Sequence, residues 1–166
     1  MALDVKVRID LVKAAGKIGM GIPLILAQNA QANAEFQEVT SLADVISKGY
    51  DAKSETYAAA QLIFMQNDCP AKIAVASTTG TADEWLSDEG NVGEGWRQLI
   101  VVGGEVDVAG IMNTVEGLRG KMFFANLPVD DATEFNVNGI ERTVLFYCTD
   151  AAYSCPVAAL VGATAG

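Results

Sequence analysis

Two glycine clusters are the first candidates for chemistry in this chain, because glycine-rich turns bring backbone N–H groups close to a phosphate. Gly16, Gly19 and Gly21 give the spacing G-x-x-G-x-G. That order is wrong for a dinucleotide-binding fingerprint, and the cluster precedes a predicted strand instead of following it. We therefore interpret the first cluster as a flexible hinge or a turn.

The second glycine cluster, Val102-Gly103-Gly104, follows a predicted strand and precedes a predicted helix. Such a turn can hold an anion at the helix N-terminus. The turn lacks the Lys-Ser/Thr pair of a P-loop, however, and Glu105 and Asp107 stand where a phosphate would bind. A simple strand-to-helix turn is the favoured interpretation.

Three pairs of adjacent acids could contribute to a Ca²⁺ or Mg²⁺ site: Asp83-Glu84, Asp88-Glu89 and Asp130-Asp131. None of them has the D-x-D-x-D-G spacing of a calcium loop. Adjacent acids in a polar loop are usually solvated. We therefore predict no metal site and no cofactor.

The remaining reactive side chains give no catalytic set. Cys148 and Cys155 flank a predicted strand-to-helix turn, where a thiol nucleophile at the helix N-terminus is one interpretation. The chain contains no His, which removes the commonest general base and the usual Ser or Cys triads. Packing is the favoured role of both thiols, and Trp85 and Trp96 are predicted to anchor the core or an interface. We predict that the chain is not an enzyme.

Composition limits the possible partners. The 166 residues carry a net charge of −10, and the 11 basic residues are scattered, which argues against binding of nucleic acid. A hydrophobic fraction of 51% excludes general disorder. No apolar run approaches the ~20 residues of a transmembrane helix, and the N-terminus does not resemble a signal peptide. Three cysteines without C-x-x-C spacing fit reduced thiols. We therefore predict no membrane partner and synthesis in the cytoplasm.

The first residues form a pattern of their own. Residues 3–11 alternate between apolar and charged side chains, as in a strand with one buried face. The apolar members are Leu3, Val5, Val7, Ile9 and Leu11. Ala14-Ala15-Gly16 then interrupts the alternation. We assign residues 1–15 to an N-terminal arm and residues 16–166 to a single domain.

Predicted strands and helices alternate through that domain. Apolar runs predict strands at 21–27, 73–76, 96–102, 121–125 and 143–148. Caps and helical periodicity predict helices that begin at Ser41, at Ser54 or Lys53, and at Thr81, a helix over 106–118 and a helix from about Pro156. Strands separated by helices imply βαβ units. The fold class is therefore α/β, with a mostly parallel or mixed sheet flanked by helices and an extended N-terminal strand.

Two finer expectations follow from local composition. Residues 28–37 are rich in Asn, Gln and Ala, which is typical of a surface loop. The helix that Ser54 opens has five members at helical spacing: Tyr57, Ala60, Gln61, Phe64 and Met65.

An alternative function comes from the fold class. Open α/β sheets often bind small molecules at the carboxyl ends of their strands. Here those ends include residues 76–79, residues 102–104 and Asn126, with Ser and Thr hydroxyls available. A nucleotide-binding or hydrolase-like domain is therefore the alternative, and a generic oligomerising adaptor is a third possibility.

Several short segments of the chain carry a resemblance to a known family. They are residues 21–27, Ser41-Leu42, Tyr57-Ala58-Ala59-Ala60 leading to Phe64-Met65-Gln66, Pro70 before Ile73-Ala74-Val75, residues 95–100, residues 121–125 and residues 156–162. In these segments the chain resembles contractile phage tail sheath proteins, particularly those of myovirus-like phages and phage-tail-like bacteriocins. The resemblance covers nearly the whole chain at the level of pattern.

The resemblance implies a structural role without a cofactor. Sheath subunits form hexameric rings that stack helically around an inner tail tube, attach to a baseplate and contract by rearrangement of subunits. The implied partners are copies of this chain, the tube protein and baseplate proteins, in a virion or phage-tail-like particle assembled in a bacterial host. Leu3, Val5, Val7, Ile9 and Leu11 would pair as a strand with a neighbouring subunit.

The resemblance also sets an expectation about length. Sheath proteins continue with a C-terminal domain beyond the helix that contains Ala158-Ala159-Leu160-Val161-Gly162, whereas the present sequence stops at Gly166. We therefore expect the C-terminal domain and C-terminal arm of the family to be missing here.

Overall fold

A six-stranded sheet forms the centre of the computed structural model, which describes residues 21–127, 138–147 and 155–165. The strands are β1 Ile22–Ala27, β2 Ala34–Val39, β3 Ile73–Ser77, β4 Trp96–Val102, β5 Met122–Leu127 and β6 Thr143–Tyr147. The helices are α1 Leu42–Ser47, α2 Glu55–Phe64, α3 Ala82–Leu86, α4 Glu89–Gly93, α5 Val108–Glu116 and α6 Val157–Ala165.

The strand order is β2-β3-β1-β4-β5-β6, and every neighbouring pair is parallel except β2 with β3. The predicted α/β class with a mostly parallel, mixed sheet is confirmed. β1 and β3 lie in the interior of the sheet, and their side chains are largely apolar on both faces, as buried strands require.

Apolar side chains pack on both faces of the sheet. Leu24 and Leu26 of β1 belong to a cluster with the α3 and α5 side chains, whereas Ile25 belongs to a cluster with the α2 and α6 side chains. Successive strand residues point to opposite faces, so the continuous apolar run of β1 serves both clusters.

The predicted helix starts are confirmed at Ser41, Ser54 and Thr81, whose hydroxyls each accept a backbone N–H of the first turn. Thr81 and Glu84 form a reciprocal capping box. α5 starts later than predicted, at Val108, because Asp107 caps it by accepting the Gly110 N–H.

The prediction that residues 28–37 form a loop was wrong at its end, where β2 begins at Ala34. β2 lies at the edge of the sheet and exposes Glu35 and Glu38, whereas its other residues are more buried. Its polar composition therefore hid the strand, because only one side of it contacts the sheet. The short helix α4 was also not predicted.

The buried face of α2 differs from the predicted one. Its buried residues are Thr56, Ala59, Ala60 and Ile63, whereas the side chain of Met65 is 69% exposed. The small residues face α6, which approaches closely because Gly162 has no side chain: a Cβ there would lie 2.6 Å from the carbonyl oxygen of Ile63. Helix packing selected this face, and the apolar spacing of α2 did not reveal it.

Several predictions lie outside the described residues. They are the arm of residues 1–15 with Leu3, Val5, Val7, Ile9 and Leu11, the glycines Gly16 and Gly19, the pair Asp130-Asp131, and Cys148.

Candidate functional site

A crevice lies at the carboxyl edge of the sheet, where β1, β3 and β4 end. After β1 the chain forms β2 and β3 on one side of that strand, and β4 and β5 then follow on its other side. Open α/β sheets bind ligands at such a reversal of strand order. The crevice has a volume of about 600 Å³ and is lined by the β1–β2 loop, the α1–α2 loop, Ser77 and Gly103.

Two of the predicted strand-end hydroxyls, those of Ser77 and Thr78, form hydrogen bonds within the chain. Ser77 Oγ donates to the carbonyl of Ala32 at 2.8 Å, and Thr78 Oγ1 accepts the Gly80 N–H at 3.2 Å. Both bonds hold loops in place. We therefore assign these two hydroxyls a structural role in the walls of the crevice.

The glycine turn after β4 is occupied by a carboxylate of the chain itself. Gly103 has φ +95°, and a Cβ at this position would lie 2.5 Å from the carbonyl oxygen of Gln28. The Gly103 N–H donates to Glu55 Oε2 at 2.7 Å, which links the turn to the first turn of α2. An incoming phosphate would meet the negative charge of Glu55. The observed contact of this turn is therefore with α2 of the same chain.

Gln28 is a structural residue of this edge that sequence reasoning missed. Its side chain is only 4% exposed. Its Nε2 donates to the carbonyl of Glu105 at 2.8 Å, and its Oε1 accepts the Ala82 N–H at 3.1 Å. Gln28 thus joins the end of β1 to the start of α3 and to the β4–α5 loop. A glutamine directly after an apolar strand is the only local signal that could have drawn attention to it.

Asn126 Oδ1, a buried polar atom in a smaller cavity of about 170 Å³, has no hydrogen-bond partner among the described residues, whereas the buried Tyr50 hydroxyl at the crevice lies beside the Ser77 hydroxyl. Burial raises the pKa of Tyr50. Cys155 also lines the smaller cavity, and burial raises the pKa of its thiol to about 11. Neither group is ionised near neutral pH, so neither is an activated nucleophile.

The described acid pairs act mainly as helix caps. Glu84 completes the capping box of α3, Asp88 accepts the Gly90 N–H, and Asp83 accepts the Thr114 hydroxyl at 3.0 Å. Within the described ranges, no group of three or more His, Cys, Asp or Glu side chains could hold a metal ion.

The two tryptophans lie in the core, as predicted. Their ring centroids are 6.4 Å apart, and Trp96 is fully buried. Lys121, which sequence reasoning did not single out, lies 4.0 Å above the Trp96 ring and donates to the carbonyls of Glu94 and Trp96, both at 2.7 Å. Burial lowers the pKa of Lys121 to about 8, with a smaller contribution from Arg97. This cluster closes the amino edge of the sheet.

The β6 edge, defined as the outer side of residues 143–147, is a second candidate site. In the described part of the chain β6 pairs only with β5, from Phe123 with Thr143 to Leu127 with Tyr147. None of its side chains is charged or fully buried, and Tyr147 is 41% exposed. An uncharged edge strand of this kind is a template for a further strand.

The opposite edge of the sheet differs in each of these respects. β2 exposes Glu35 and Glu38, and Glu38 forms an ion pair with Lys72 at 2.8 Å. Its pairing with β3 is also irregular between Ala34 and Gln37. Charge and irregular register both discourage addition of a strand. The two edges are therefore not equivalent as docking sites.

Comparisons with protein-family models and with curated proteins find no match to this chain. Among the described helices, none combines the length and the apolar character needed to cross a membrane.

Proposed function

We propose that this chain is a structural subunit of a contractile tail sheath that polymerises with copies of itself around an inner tube. The observation that carries the proposal is the β6 edge. It is uncharged, rich in apolar side chains and without an outer partner in the described part of the chain. Strand addition to such an edge joins subunits through backbone hydrogen bonds.

Residues 3–11 are the matching donor. They contain five apolar side chains in strict alternation, enough to cover the length of β6. The intervening charged residues, Asp4, Lys6, Arg8 and Asp10, suit the solvent side of an outer strand. The alternating pattern of residues 3–11 and the uncharged β6 edge thus both support assembly through this segment.

The crevice geometry weighs against a nucleotide-dependent enzyme. Glu55 occupies the Gly103 turn, and the hydroxyls of Ser77 and Thr78 hold loops. A sheath does not require nucleotide, because contraction can proceed by rigid-body rearrangement between two packings of the same subunits. The tube protein, baseplate proteins and a virion or phage-tail-like particle are further parts of this proposal, supported by the resemblance.

Electron microscopy tests the proposal. We expect the 166-residue chain to form rings or tubes in negative stain, and the double variant Val5→Lys/Val7→Lys to remain as single subunits with an unchanged circular dichroism spectrum. The matched control Lys6→Gln/Arg8→Gln alters the polar face of the same segment and should assemble normally. Monodisperse single subunits of the unmodified chain at every concentration would contradict the proposal.

A small-molecule binding function is the second candidate, because the buried hydroxyls of Tyr50 and Ser77 lie side by side at the crevice. A panel of nucleosides and sugars in a thermal-shift assay tests it. Stabilisation by one of these compounds that is lost in Tyr50→Phe would favour the second candidate. The absence of any shift, together with rings or tubes, would favour the sheath.

A further inference from the structure

We infer that the crevice at the carboxyl edge of the sheet binds a neutral sugar, whose hydroxyl groups match a lining that holds hydrogen-bond donors and acceptors side by side. The inference rests on the second candidate function, small-molecule binding at this crevice, and names the chemical class of the ligand. It does not depend on assembly into a sheath.

The crevice has the place and the size of a ligand site. Ala27, Ser77 and Val102, the last residues of β1, β3 and β4, all line it. Open α/β sheets bind ligands at this position. Its volume of about 600 Å³ lies within the range of about 300–1,000 Å³ that is usual for small-molecule sites. Alanine side chains give it an apolar surface that suits the C–H groups of a sugar ring: Ala27, Ala30, Ala32 and Ala34.

The β1–β2 loop, which forms one wall of the crevice, is held in place by hydrogen bonds to the segment after β3. The Ala30 N–H donates to the carbonyl of Thr78 at 2.9 Å. The Thr79 N–H donates to Asn33 Oδ1 at 2.7 Å. Because these bonds fix the wall before a ligand arrives, binding would not have to order it.

This wall presents hydrogen-bond donors to the crevice. Since Asn33 Oδ1 accepts the Thr79 N–H, the orientation of the carboxamide is set, and its Nδ2 has no acceptor among the described residues. Gln31 adds a second exposed carboxamide, which has no partner in the described part of the chain. Lys48, at the end of α1, adds an exposed ammonium group.

The α1–α2 loop and the first turn of α2 present acceptors to the same crevice. Asp51 Oδ1 accepts the Lys53 N–H at 2.7 Å, and its other carboxylate oxygen has no donor among the described residues. Glu55 Oε2 accepts the Gly103 N–H at 2.7 Å, and its Oε1 likewise has no donor within the described ranges. Both side chains are exposed and line the crevice, so their second oxygens are available to a ligand.

The mixture of donors and acceptors selects the class of ligand. A phosphate group only accepts hydrogen bonds and would meet the negative charges of Asp51 and Glu55. An ammonium group only donates, so it would leave Asn33 Nδ2 without a partner and would meet the charge of Lys48. An apolar ligand would cover all of these groups without pairing any of them. Each hydroxyl of a sugar both donates and accepts, so a sugar ring can pair with both kinds of group at once.

NMR titration of the isotope-labelled chain tests the inference. The probes are the methyl glycosides of glucose, galactose and mannose, each at about 10 mM, which detects dissociation constants in the millimolar range. We expect at least one of them to shift the amide signals of residues 28–33 and of Tyr50 and Asp51, with the other signals unchanged. Shifts on another face of the molecule, or no shift with any of the three sugars, would overturn the inference.

A blocking variant tests the location independently. Ala30→Trp should weaken binding of the responding sugar by about tenfold or more, because the indole fills the crevice. The matched control Ala43→Trp, exposed on α1 and outside the crevice, should bind the sugar within about twofold of the unmodified chain. Equal binding by a folded Ala30→Trp protein would contradict the location. If that variant does not fold, the amide shifts of the unmodified chain still locate the site.

Charged probes test the class. The 6-phosphate of the responding sugar should bind about fivefold or more weakly than the sugar itself, because its phosphate meets Asp51 and Glu55. Glu55→Gln keeps an acceptor for the Gly103 N–H but removes one negative charge, so it should reduce this difference. The matched control Glu89→Gln, exposed on α4, should not. Tighter binding of the 6-phosphate, or of n-butylamine, than of the sugar would overturn the neutral class.

The outcomes separate the inference from both candidate functions. Sugar binding without rings or tubes would leave the inference standing and refute the sheath, whereas rings or tubes without sugar binding would do the reverse. Amide shifts at the crevice with a nucleoside but with no sugar would keep the small-molecule function and overturn the sugar class.

Discussion

Replacement of Gln28 by leucine tests whether this buried amide holds the carboxyl edge of the sheet together. The change keeps a side chain of similar size but removes the donor to Glu105 and the acceptor for the Ala82 N–H. Glu105 is exposed, so its carbonyl can find water, whereas Ala82 is fully buried. A buried N–H without a partner costs about 1–3 kcal/mol, and we expect a total loss of roughly 2–3 kcal/mol.

Urea denaturation followed by circular dichroism measures this loss. With a slope of about 2 kcal/mol/M, the midpoint should fall by roughly 1–1.5 M while the slope stays constant. Gln31→Leu is the matched control, because Gln31 lies in the same loop and is exposed, and its midpoint should stay within about 0.3 M. A loss below about 0.5 kcal/mol for Gln28→Leu would refute the structural role assigned to its two hydrogen bonds.

Three further predictions follow from the buried groups. Folding lowers the pKa of Lys121 from 10.5 to about 8, so the unfolded chain binds more protons than the folded chain between these pH values. The free energy of unfolding of the unmodified chain, measured relative to that of Lys121→Met, should therefore rise from pH 7 to pH 10. Urea titrations that show a constant difference between the two proteins would contradict this. Gly162→Ala should lower the free energy of unfolding by about 1–2 kcal/mol, because the added Cβ meets the Ile63 backbone. The control Ala163→Gly, on the exposed side of the same helix, should lower the free energy of unfolding by about 1 kcal/mol or less, through the lower helix propensity of glycine. Tyr50→Phe should change the free energy of unfolding by less than about 1 kcal/mol, since the Ser77 hydroxyl beside Tyr50 still donates to the carbonyl of Ala32; a larger decrease in urea titrations would contradict this.

Local signals were sufficient to predict much of the fold. Helix caps such as Ser41, Ser54 and Thr81 act within three residues of their own position, so the sequence displays both halves of each interaction. Continuous apolar runs indicated the buried strands β1, β3 and β4 for a similar reason. Alternation of these elements was then sufficient to predict the α/β class.

Interactions between distant segments were not predictable in this way. β2 is polar and owes its strand conformation to pairing with β3, and the buried face of α2 is chosen by Gly162 on α6. Gln28 and Lys121 gain their roles from partners at 77 and 27 residues' separation. A buried glutamine or lysine has no local pattern, because its burial depends on carbonyl groups that only the folded chain brings near.

At the candidate site, too, local features were predictable and contacts between distant segments were not. From the sequence, Gly103-Gly104 had a geometry that can hold an anion, and a plain turn was favoured because Glu105 and Asp107 made a phosphate unfavourable. The sequence did not indicate that Glu55, from another helix, occupies the Gly103 N–H. It also identified β6 as a strand but not as an edge, since strand order is a property of the whole sheet.

The central position of β1 has a mechanical consequence. A pull on Gly21 that is directed along β1 would load a strand that pairs with β4 from Ile22 to Ala27 and with β3 from Leu24 to Ala27. The hydrogen bonds on both sides then bear the load together in shear, instead of opening one after another. A subunit held to its neighbours through its first residues would thus transmit tension into the strand of its sheet that is hardest to extract.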